Sequence, residues 1–353
     1  MTDLLEATAA LVDIPSLSHQ ETALADLVEG VLRGCSWLQV ERIGDNVIGR
    51  TLLGRSQRLM LAGHLDTVPA NDNARARIDG DVLWGLGASD MKGGLAVMLD
   101  LARTVPEPSI DVTWCFYATE EVGRDQSGLL QLWNERPELL KADAAILGEP
   151  TDALVEAGCQ GTMSVLMTLG GVRAHSARPF AGRNAIHRLA PILSAAAAYQ
   201  SRKVELDGCV YAEQVQAVLV DGGVARNVVP DQVHLTVNHR FAPDRTAEEA
   251  ESFLRELLGA ELDESAGDRW ELLDAAAGAP PSLTQPLLAE LVAKTGTAPT
   301  AKVGWTDVAS FWEHGIPAAN FGPGDPLLAH HPDERVTREQ LTRARAILGA
   351  LIG

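Results

Sequence analysis

The hydrophobic positions of the amino-terminal part of the chain follow a helical spacing in some segments and form unbroken runs in others. Helical spacing over residues 4–12 and 21–33 predicts two amphipathic helices. The segment "GGLAVMLDLARTV" (93–105) has apolar residues on one helical face and predicts a third helix. We therefore expect three amphipathic helices in the first 105 residues.

Three mostly apolar runs separate or follow these helices and end in polar residues. They are "RLMLAGHLD" (58–66), "DVTWCFYATEE" (111–121) and "ADAAILGEP" (142–150). Runs of this kind are typical of strands that are buried on both faces of a sheet. Their alternation with helices predicts an α/β fold, and residues 304–326 return to the same character.

The middle of the chain has a different pattern. Residues 162–171, 215–223 and 232–241 resemble strands, and the last alternates cleanly between apolar and polar side chains. Residues 184–200 and 246–259 have the spacing of amphipathic helices. This pattern predicts an antiparallel sheet that carries two helices on one face.

The two patterns together predict two domains. Residues 1–161 and 278–353 form an α/β domain with a central mixed sheet flanked by helices. Residues 162–277 form an inserted α+β domain. The length of 353 residues agrees, because single domains usually have about 100–200 residues.

Charge and composition exclude several classes of partner. The chain has 48 acidic and 29 basic residues, a net charge of −19, which argues against binding to nucleic acid or an anionic membrane. We find no apolar run long enough for a transmembrane helix and no basic leader at the amino terminus. The four cysteines have no paired spacing. We therefore expect a cytoplasmic protein.

The apolar runs end in residue types that commonly bind metals in proteins. The first ends with His64 and Asp66, the second with Glu120 and Glu121, and the third with Glu149. Ligands of open α/β sheets bind outside the carboxyl ends of the strands, so these side chains are expected at one edge. Several carboxylates together are unfavourable without a compensating cation. The nitrogen and oxygen donors favour zinc or a neighbouring transition metal.

The segment "GLGASDMKGG" (85–94) allows two interpretations. Its glycines and Lys92 suggest a loop that cradles phosphate, as in a nucleotide-binding protein. The third position of the G-x-G-x-x-G pattern is Asp90, however, and Lys92 is followed by Gly93 instead of Ser or Thr. We therefore interpret the glycines as allowing close backbone approach and Asp90 as a metal ligand.

The ordered segments "GHLDTVP", "GASDMKGG", "TEEVG", "GEPT", "RAHSA" and "HHPDE" resemble the M20-type metallopeptidases and amidohydrolases over nearly the whole chain. The resemblance implies a zinc-peptidase-like catalytic domain with an inserted lid domain that also mediates homodimerisation. It implies two zinc ions per chain, bridged by one aspartate and a water or hydroxide, with cobalt or manganese as substitutes. It also implies hydrolysis of an amide in a small molecule.

The matching motifs imply roles for individual residues. The implied metal ligands are His64, Asp90, Glu121, Glu149 and His330. Asp90 bridges the two ions, Glu120 is the general base, and Asp66 orients His64. His330 matches the family spacing His-x-x-Asp-Glu that ends at Glu334, and His331 is the less favoured alternative.

The inserted domain is implied to supply further site residues. His175 would donate a hydrogen bond to the oxyanion in the active site of the partner subunit. The substrate contacts implied by resemblance are Asn227, Arg240, Gly304 and Thr306. A guanidinium such as that of Arg240 suits a substrate carboxylate.

Within the family, the chain most resembles enzymes that hydrolyse N-succinyl-L,L-2,6-diaminopimelate to succinate and L,L-diaminopimelate, a precursor of lysine and cell wall. One position departs from the better-known form of these enzymes, which has a substrate-contacting arginine just before the glycine that matches Gly161, where this chain has Cys159-Gln160. The basic residues Arg178, Arg183 and Arg226 could compensate for its charge. Deacetylation of N-acetylornithine, deacylation of another N-acyl amino acid and carboxypeptidase activity are the close alternatives. A non-catalytic binding protein of the same fold is the alternative from another class.

Overall fold

The computed structural model describes residues 3–259 and 262–353 and divides the chain into two compact units. Unit 1 comprises Met1–Ala157, Ser282–Thr300 and Ser310–Gly353, and unit 2 comprises Gly158–Pro281 and Ala301–Ala309. Residues 301–309, which the sequence pattern assigns to the α/β domain, thus group with unit 2. Their backbone packs there beside the first strand of the unit, since the Gln160 N–H donates to the Lys302 carbonyl at 3.1 Å.

The described residues form helices and strands over the following ranges. The α-helices are α1 (Leu4–Val12), α2 (Thr22–Arg33), α3 (Lys92–Thr104), α4 (Gly128–Glu135), α5 (Leu189–Ala198), α6 (Ala247–Leu258), α7 (Pro286–Thr295), α8 (Val308–Glu313) and α9 (Arg338–Ile352). The strands are β1 (Gln39–Ile43), β2 (Asn46–Arg50), β3 (Arg58–His64), β4 (Arg77–Asp79), β5 (Val82–Trp84), β6 (Asp111–Tyr117), β7 (Ala144–Leu147), β8 (Glu156–Ala157), β9 (Gly161–Gly170), β10 (Ala174–His175), β11 (Lys203–Leu206), β12 (Cys209–Ala212), β13 (Gln214–Gly222), β14 (Val228–Val229), β15 (Gln232–Phe241), β16 (Arg269–Ala276), β17 (Thr300–Ala301), β18 (Ala318–Asn320) and β19 (Arg335–Thr337). In this part of the chain, every helix is too short or too polar to cross a membrane.

Unit 1 is built on a mixed sheet with the strand order β1-β2-β6-β3-β7-β18-β8-β17. Strand β3 pairs in parallel with both β6 and β7, and β18 is parallel to β7, whereas β1, β2 and β8 join in antiparallel fashion. The apolar runs at 58–66, 111–121 and 142–150 correspond to β3, β6 and β7. The prediction of an α/β fold with a central mixed sheet is confirmed.

Helix α3, which packs on the central sheet, is buried along most of its length. Its residues from Lys92 to Ala102 are buried on all sides, because it packs against α1, α2 and α9 as well as β3 and β6. The sequence pattern showed only one of these covered faces. A Cβ at Gly94 would stand 2.3 Å from the carbonyl oxygen of Gly148, so the helix start and the end of β7 require glycine for their close approach.

Unit 2 contains an antiparallel sheet with the order β13-β15-β9-β16. Helices α5 and α6 pack on one face, where Ile192 and Leu254 meet the alternate side chains Val165 and Val237. This confirms the predicted antiparallel sheet with two helices. Strand β16 was not predicted, because it is an exposed edge strand whose register shifts between Leu272 and Asp274 and therefore shows no alternation.

Candidate metal centre

The central strands of unit 1 deliver polar side chains to one edge of the sheet. In the parallel register, His64 at the end of β3 lies opposite Tyr117 at the end of β6, and Ala62 lies opposite Leu147 at the end of β7. The residues that follow β6 and β7 therefore emerge beside His64. The structure brings together there the side chains of His64, Asp66, Asp90, Glu120, Glu121, Glu149 and His330.

The imidazole of His64 is buried and held from both sides. Its Nε2 atom lies 3.1 Å from Oδ1 of Asp90. Its Nδ1 atom lies 3.0 Å from the backbone carbonyl oxygen of Asp66 and 3.5 Å from Oδ1 of the same residue. Burial opposes the imidazolium form, but hydrogen bonds to Asp66 and Asp90 raise the pKa of His64 above its ordinary value. Because the backbone carbonyl of Asp66 lies nearer to Nδ1 than its carboxylate does, the carbonyl is the closer group that can orient the ring.

A second imidazole faces the same aspartate from another segment. The Nε2 atom of His330 lies 2.9 Å from Oε1 of Glu121 and 3.5 Å from Oδ2 of Asp90. Hydrogen bonds to Asp90 and Glu121 raise the pKa of His330 to about 10. His331 is placed differently, since its Nδ1 accepts the N–H of Asp333 at 3.1 Å.

The donor atoms fall into overlapping sets. Each of three sets has its ligand atoms within 4.8 Å of one another: His64 with Asp90 and Glu149, Asp90 with Glu121 and His330, and His64 with Glu120 and Glu121. Asp90 is the carboxylate common to the first two sets, and its two oxygens face different histidines. Asp90 therefore lies between two overlapping groups of candidate metal ligands.

Asp66 holds the loop that carries the two glutamates. Its Oδ1 accepts the N–H of Glu120 and its Oδ2 accepts the N–H of Glu121, each at 2.9 Å. The hydroxyl of Ser18 donates to Oδ2 at 2.8 Å. Burial raises the pKa of Asp66, but the hydrogen bond with His64, the charge of His64 and the two backbone N–H donors lower it to about 2. The carboxylate therefore fixes the Glu120–Glu121 backbone as well as facing His64.

Residues that sequence reasoning missed support the same loop. The buried carboxylate of Glu21 accepts the N–H of Thr119 at 3.0 Å. Thr119 has a left-handed backbone with φ of 56°, a conformation that non-glycine residues adopt mainly where the surroundings enforce it. Glu21 and Ser18 lie in the break between α1 and α2. Glu21 is 98 positions from Thr119 and Ser18 is 48 positions from Asp66, and no spacing rule connects residues so far apart.

The glycine-rich loop at 85–90 does bind an anion, but the anion is the protein's own. The carboxylate of Glu334 accepts the N–H groups of Gly87, Ser89 and Asp90 at 3.0, 2.9 and 2.9 Å. Burial raises the pKa of Glu334 to about 7. Lys92 is buried and donates to the Ile14 carbonyl at 2.8 Å. The features that suggested a nucleotide loop are thus used within the protein.

Unit 2 holds His175 and Asn227 next to each other. Strands β10 and β14 pair His175 with Val228, and the N–H of Ser176 donates to the carbonyl of Asn227 at 2.9 Å. The ring of His175 is exposed, and its Nδ1 accepts the N–H of Ala177 at 3.0 Å. A neutral ring in this arrangement carries its proton on Nε2, which is then a hydrogen-bond donor.

The other predicted substrate contacts also lie in unit 2. Arg240 is on the central strand β15, and burial lowers the pKa of its guanidinium. Gly304 and Thr306 lie on the 301–309 segment, where the Thr306 carbonyl is 3.7 Å from Sγ of Cys159. This loop therefore runs beside Cys159 and Gln160.

Known sequences match this chain over nearly its whole length. The family model described as peptidase family M20/M25/M40 matches residues 60–353. A putative succinyl-diaminopimelate desuccinylase of Mycobacterium tuberculosis is 49% identical over 352 residues, covering 99% of this chain and 98% of that protein. The succinyl-diaminopimelate desuccinylase of Corynebacterium glutamicum is 46% identical over 352 residues, covering 98% of this chain and 95% of that protein.

Solved structures show the same fold at lower identity. A tripeptidase from Staphylococcus aureus matches with a TM-score of 0.82 at 20% identity, covering 99% of this chain and 97% of the other. An M20 family metallo-carboxypeptidase from Sulfolobus solfataricus matches with a TM-score of 0.77 at 19% identity, covering 99% and 98%. The chain belongs to peptidase family M20/M25/M40.

Proposed function

We propose that the chain is a zinc-dependent amidohydrolase that cleaves N-succinyl-L,L-2,6-diaminopimelate to succinate and L,L-diaminopimelate. The position of Asp90 between His64 and His330, within a cluster of carboxylates, is the observation that carries the metal-dependent chemistry. The full-length identity to two desuccinylases supports the substrate. The product places the reaction in the supply of lysine and cell-wall precursors, and we keep the cytoplasm as its predicted location.

The donor atoms present fit two divalent ions. His64, Asp90 and Glu149 would hold one ion, and Asp90, Glu121 and His330 the other. Imidazole nitrogen and carboxylate oxygen suit zinc, with cobalt or manganese as substitutes. Two ions bound in this way would supply a water of lowered pKa and would polarise the amide carbonyl.

Glu120 is placed to move the proton. Its backbone N–H is held by Asp66, and its carboxylate belongs to the same group of donor atoms as His64 and Glu121. Neither of the two proposed ion positions uses Glu120 as a ligand. In the proposed reaction, Glu120 takes a proton from the attacking water and returns it to the leaving amine. His175, with its proton on Nε2, donates a hydrogen bond to the oxyanion that develops on the substrate.

A homodimer would bring His175 to the site of the partner subunit. Strand β13 is an edge strand of unit 2, and its Leu219 and Val220 are 69% and 65% exposed. An exposed apolar edge strand offers unpaired backbone groups to another chain. This supports dimerisation through unit 2.

The substrate carboxylates need cationic partners. Cys159 and Gln160 are buried, and the Gln160 side chain donates to the Ala212 carbonyl at 3.0 Å, so neither replaces the charge of an arginine. We assign this role to Arg240, with Asn227, Gly304 and Thr306 contacting the polar groups of the substrate.

The test is a side-by-side assay of the metal-loaded chain on N-succinyl-L,L-diaminopimelate, N-acetylornithine, several N-acyl amino acids and a dipeptide. We expect the highest kcat/KM for the succinylated substrate. A higher kcat/KM for N-acetylornithine, another N-acyl amino acid or the dipeptide would replace the proposed substrate. Tight metal binding without hydrolysis of any of them would instead favour a non-catalytic binding protein.

A further inference from the structure

The carboxylate of Glu334 organises the whole loop that ends in Asp90. Its Oε1 accepts the N–H groups of Ser89 and Asp90, and its Oε2 accepts that of Gly87. The backbone carbonyl of Glu334 accepts a fourth N–H, that of Gly85, at 3.0 Å. The loop from residue 85 to residue 90 is therefore wrapped around a single buried side chain.

The same residue ties this loop to the segment of His330. The N–H of Glu334 donates to the His331 carbonyl at 3.0 Å, which closes the turn that follows His330. The hydroxyl of Ser89 donates to the next carbonyl along, that of Arg335, at 2.7 Å. Two segments about 240 positions apart in the sequence are thus joined at Glu334, four residues beyond one proposed ligand and in contact with the backbone of the other.

A carboxylate suits this position because three N–H groups converge on it. A glutamine of the same shape has one carbonyl oxygen and one NH₂ group, so its NH₂ would face an N–H donor. An unsatisfied buried donor is costly, so the loop would shift to relieve it. The N–H of Asp90 is itself one of the three donors, so such a shift would move Asp90.

We propose that Glu334 is a positioning residue that holds the two carboxylate oxygens of Asp90 toward the two ion positions and so permits both ions to bind together. The proposal rests on the two-ion site of the proposed function. Glu334 acts through the backbone of Asp90 and does not itself contact an ion or substrate.

The test is titration of the metal-free chain with Co²⁺, followed by calorimetry and by visible absorption, for wild type and Glu334→Gln. We expect wild type to bind two ions and Glu334→Gln to bind the more weakly held ion about 10–100-fold less tightly, the usual effect of losing an orienting group. The absorption band that accompanies the second equivalent should change in the variant. At saturating Co²⁺, kcat should fall more than KM rises.

The matched control is Asp111→Asn. Asp111 is a buried carboxylate at the start of β6, and it likewise accepts two backbone N–H groups, those of Leu53 and Arg55, each at 2.9 Å. It lies at the opposite end of the strand from the metal centre, so its variant should lose stability without losing Co²⁺ affinity. Equal loss of affinity in both variants would mean a general structural effect and would overturn the proposal.

Two further outcomes are decisive. If Glu334→Gln does not fold, Glu334→Asp is titrated in its place, because the shorter carboxylate cannot reach all three N–H groups. Unchanged Co²⁺ binding in the variant that folds would overturn the role of Glu334. A wild-type chain that binds no Co²⁺ would contradict the proposed function itself. A wild type that binds two ions beside an unaffected variant would contradict only the role of Glu334.

Discussion

Two buried carboxylates, one in each unit, hold loops by the same kind of bond but differ in charge balance. In unit 2, the carboxylate of Asp268 accepts hydrogen bonds from the backbone N–H groups of Gly170 and Asp263. It also accepts hydrogen bonds from both Nη atoms of Arg188, at 2.6 and 2.5 Å. Burial raises the pKa of Asp268, but the bonds from Arg188 lower it to about 2. In unit 1, Glu334 has three N–H donors, and burial raises its pKa to about 7.

The difference extends to the other acids of the metal centre. In residues 3–259 and 262–353, the ion-pair partners of Asp66, Asp90 and Glu121 are histidines, and none is a lysine or arginine. The buried acids Asp268 and Glu213 of unit 2 are instead paired with arginines, Asp268 with Arg188 and Glu213 with Arg202 at 2.9 Å. Buried charges are stable only when compensated. Asp66, Asp90 and Glu121 of the metal centre are therefore suited to an added cation, whereas Asp268 and Glu213 of unit 2 stabilise the fold.

The largest expected effect comes from an acid of the metal centre. We expect Glu120→Gln to lower kcat about 10²–10⁴-fold, because a positioned base contributes that much, while metal content and Tm stay near wild type. Steady-state kinetics and metal analysis measure both. The control is Glu313→Gln, an exposed glutamate of unit 1 paired with Arg124, which should leave kcat unchanged. Near wild-type turnover in Glu120→Gln would exclude Glu120 as the base.

A smaller effect is expected from the one residue of unit 2 to which we assign a chemical step. His175→Ala should lower kcat about 10²–10³-fold by removing an oxyanion donor, with metal content intact. The exposed His187→Ala is the matched control and should behave as wild type. Mixing His175→Ala with Glu120→Gln should restore part of the activity if His175 acts in the partner subunit. Loss of metal in His175→Ala would make His175 a ligand instead.

The smallest effect on turnover is expected from the buried pair of unit 2. Asp268→Asn should lower the free energy of unfolding by about 3 kcal/mol, because it leaves Arg188 without its charged partner, and kcat should not change. The pKa of Asp268 is lowered in the folded chain, so its stabilisation is present above the unfolded pKa near 3.8 and is lost as pH falls toward 2.

Denaturant unfolding between pH 2 and 6 measures this dependence. The wild type should lose stability across that window more steeply than Asp268→Asn. Asp231→Asn breaks the exposed pair with Arg173 and should leave the unfolding curve unchanged. Equal acid sensitivity in wild type and Asp268→Asn would show that another group controls the acid response.

Local patterns were sufficient for much of the fold. The unbroken apolar runs predicted β3, β6 and β7, because a strand buried on both faces is apolar throughout. The alternation of residues 232–241 predicted β15, because a strand buried on one face alternates apolar and polar residues. Strand β16 left no such pattern, since an exposed edge strand with a shifted register has no regular buried face. The same limit applies to residues 301–309, whose grouping with unit 2 depends on long-range packing beside Cys159 and Gln160.

The sequence alone determined the family, the mixed sheet and the residues that gather at its edge, because strand ends and ordered motifs are local properties of the chain. Only the tertiary structure decided how these side chains are held: Asp66 binding the Glu120–Glu121 backbone, Glu21 binding Thr119, and Glu334 filling the glycine-rich loop. These bonds join segments far apart in sequence. The donors of a buried carboxylate are brought to it by the tertiary fold, and residue spacing along the sequence does not predict which groups these are.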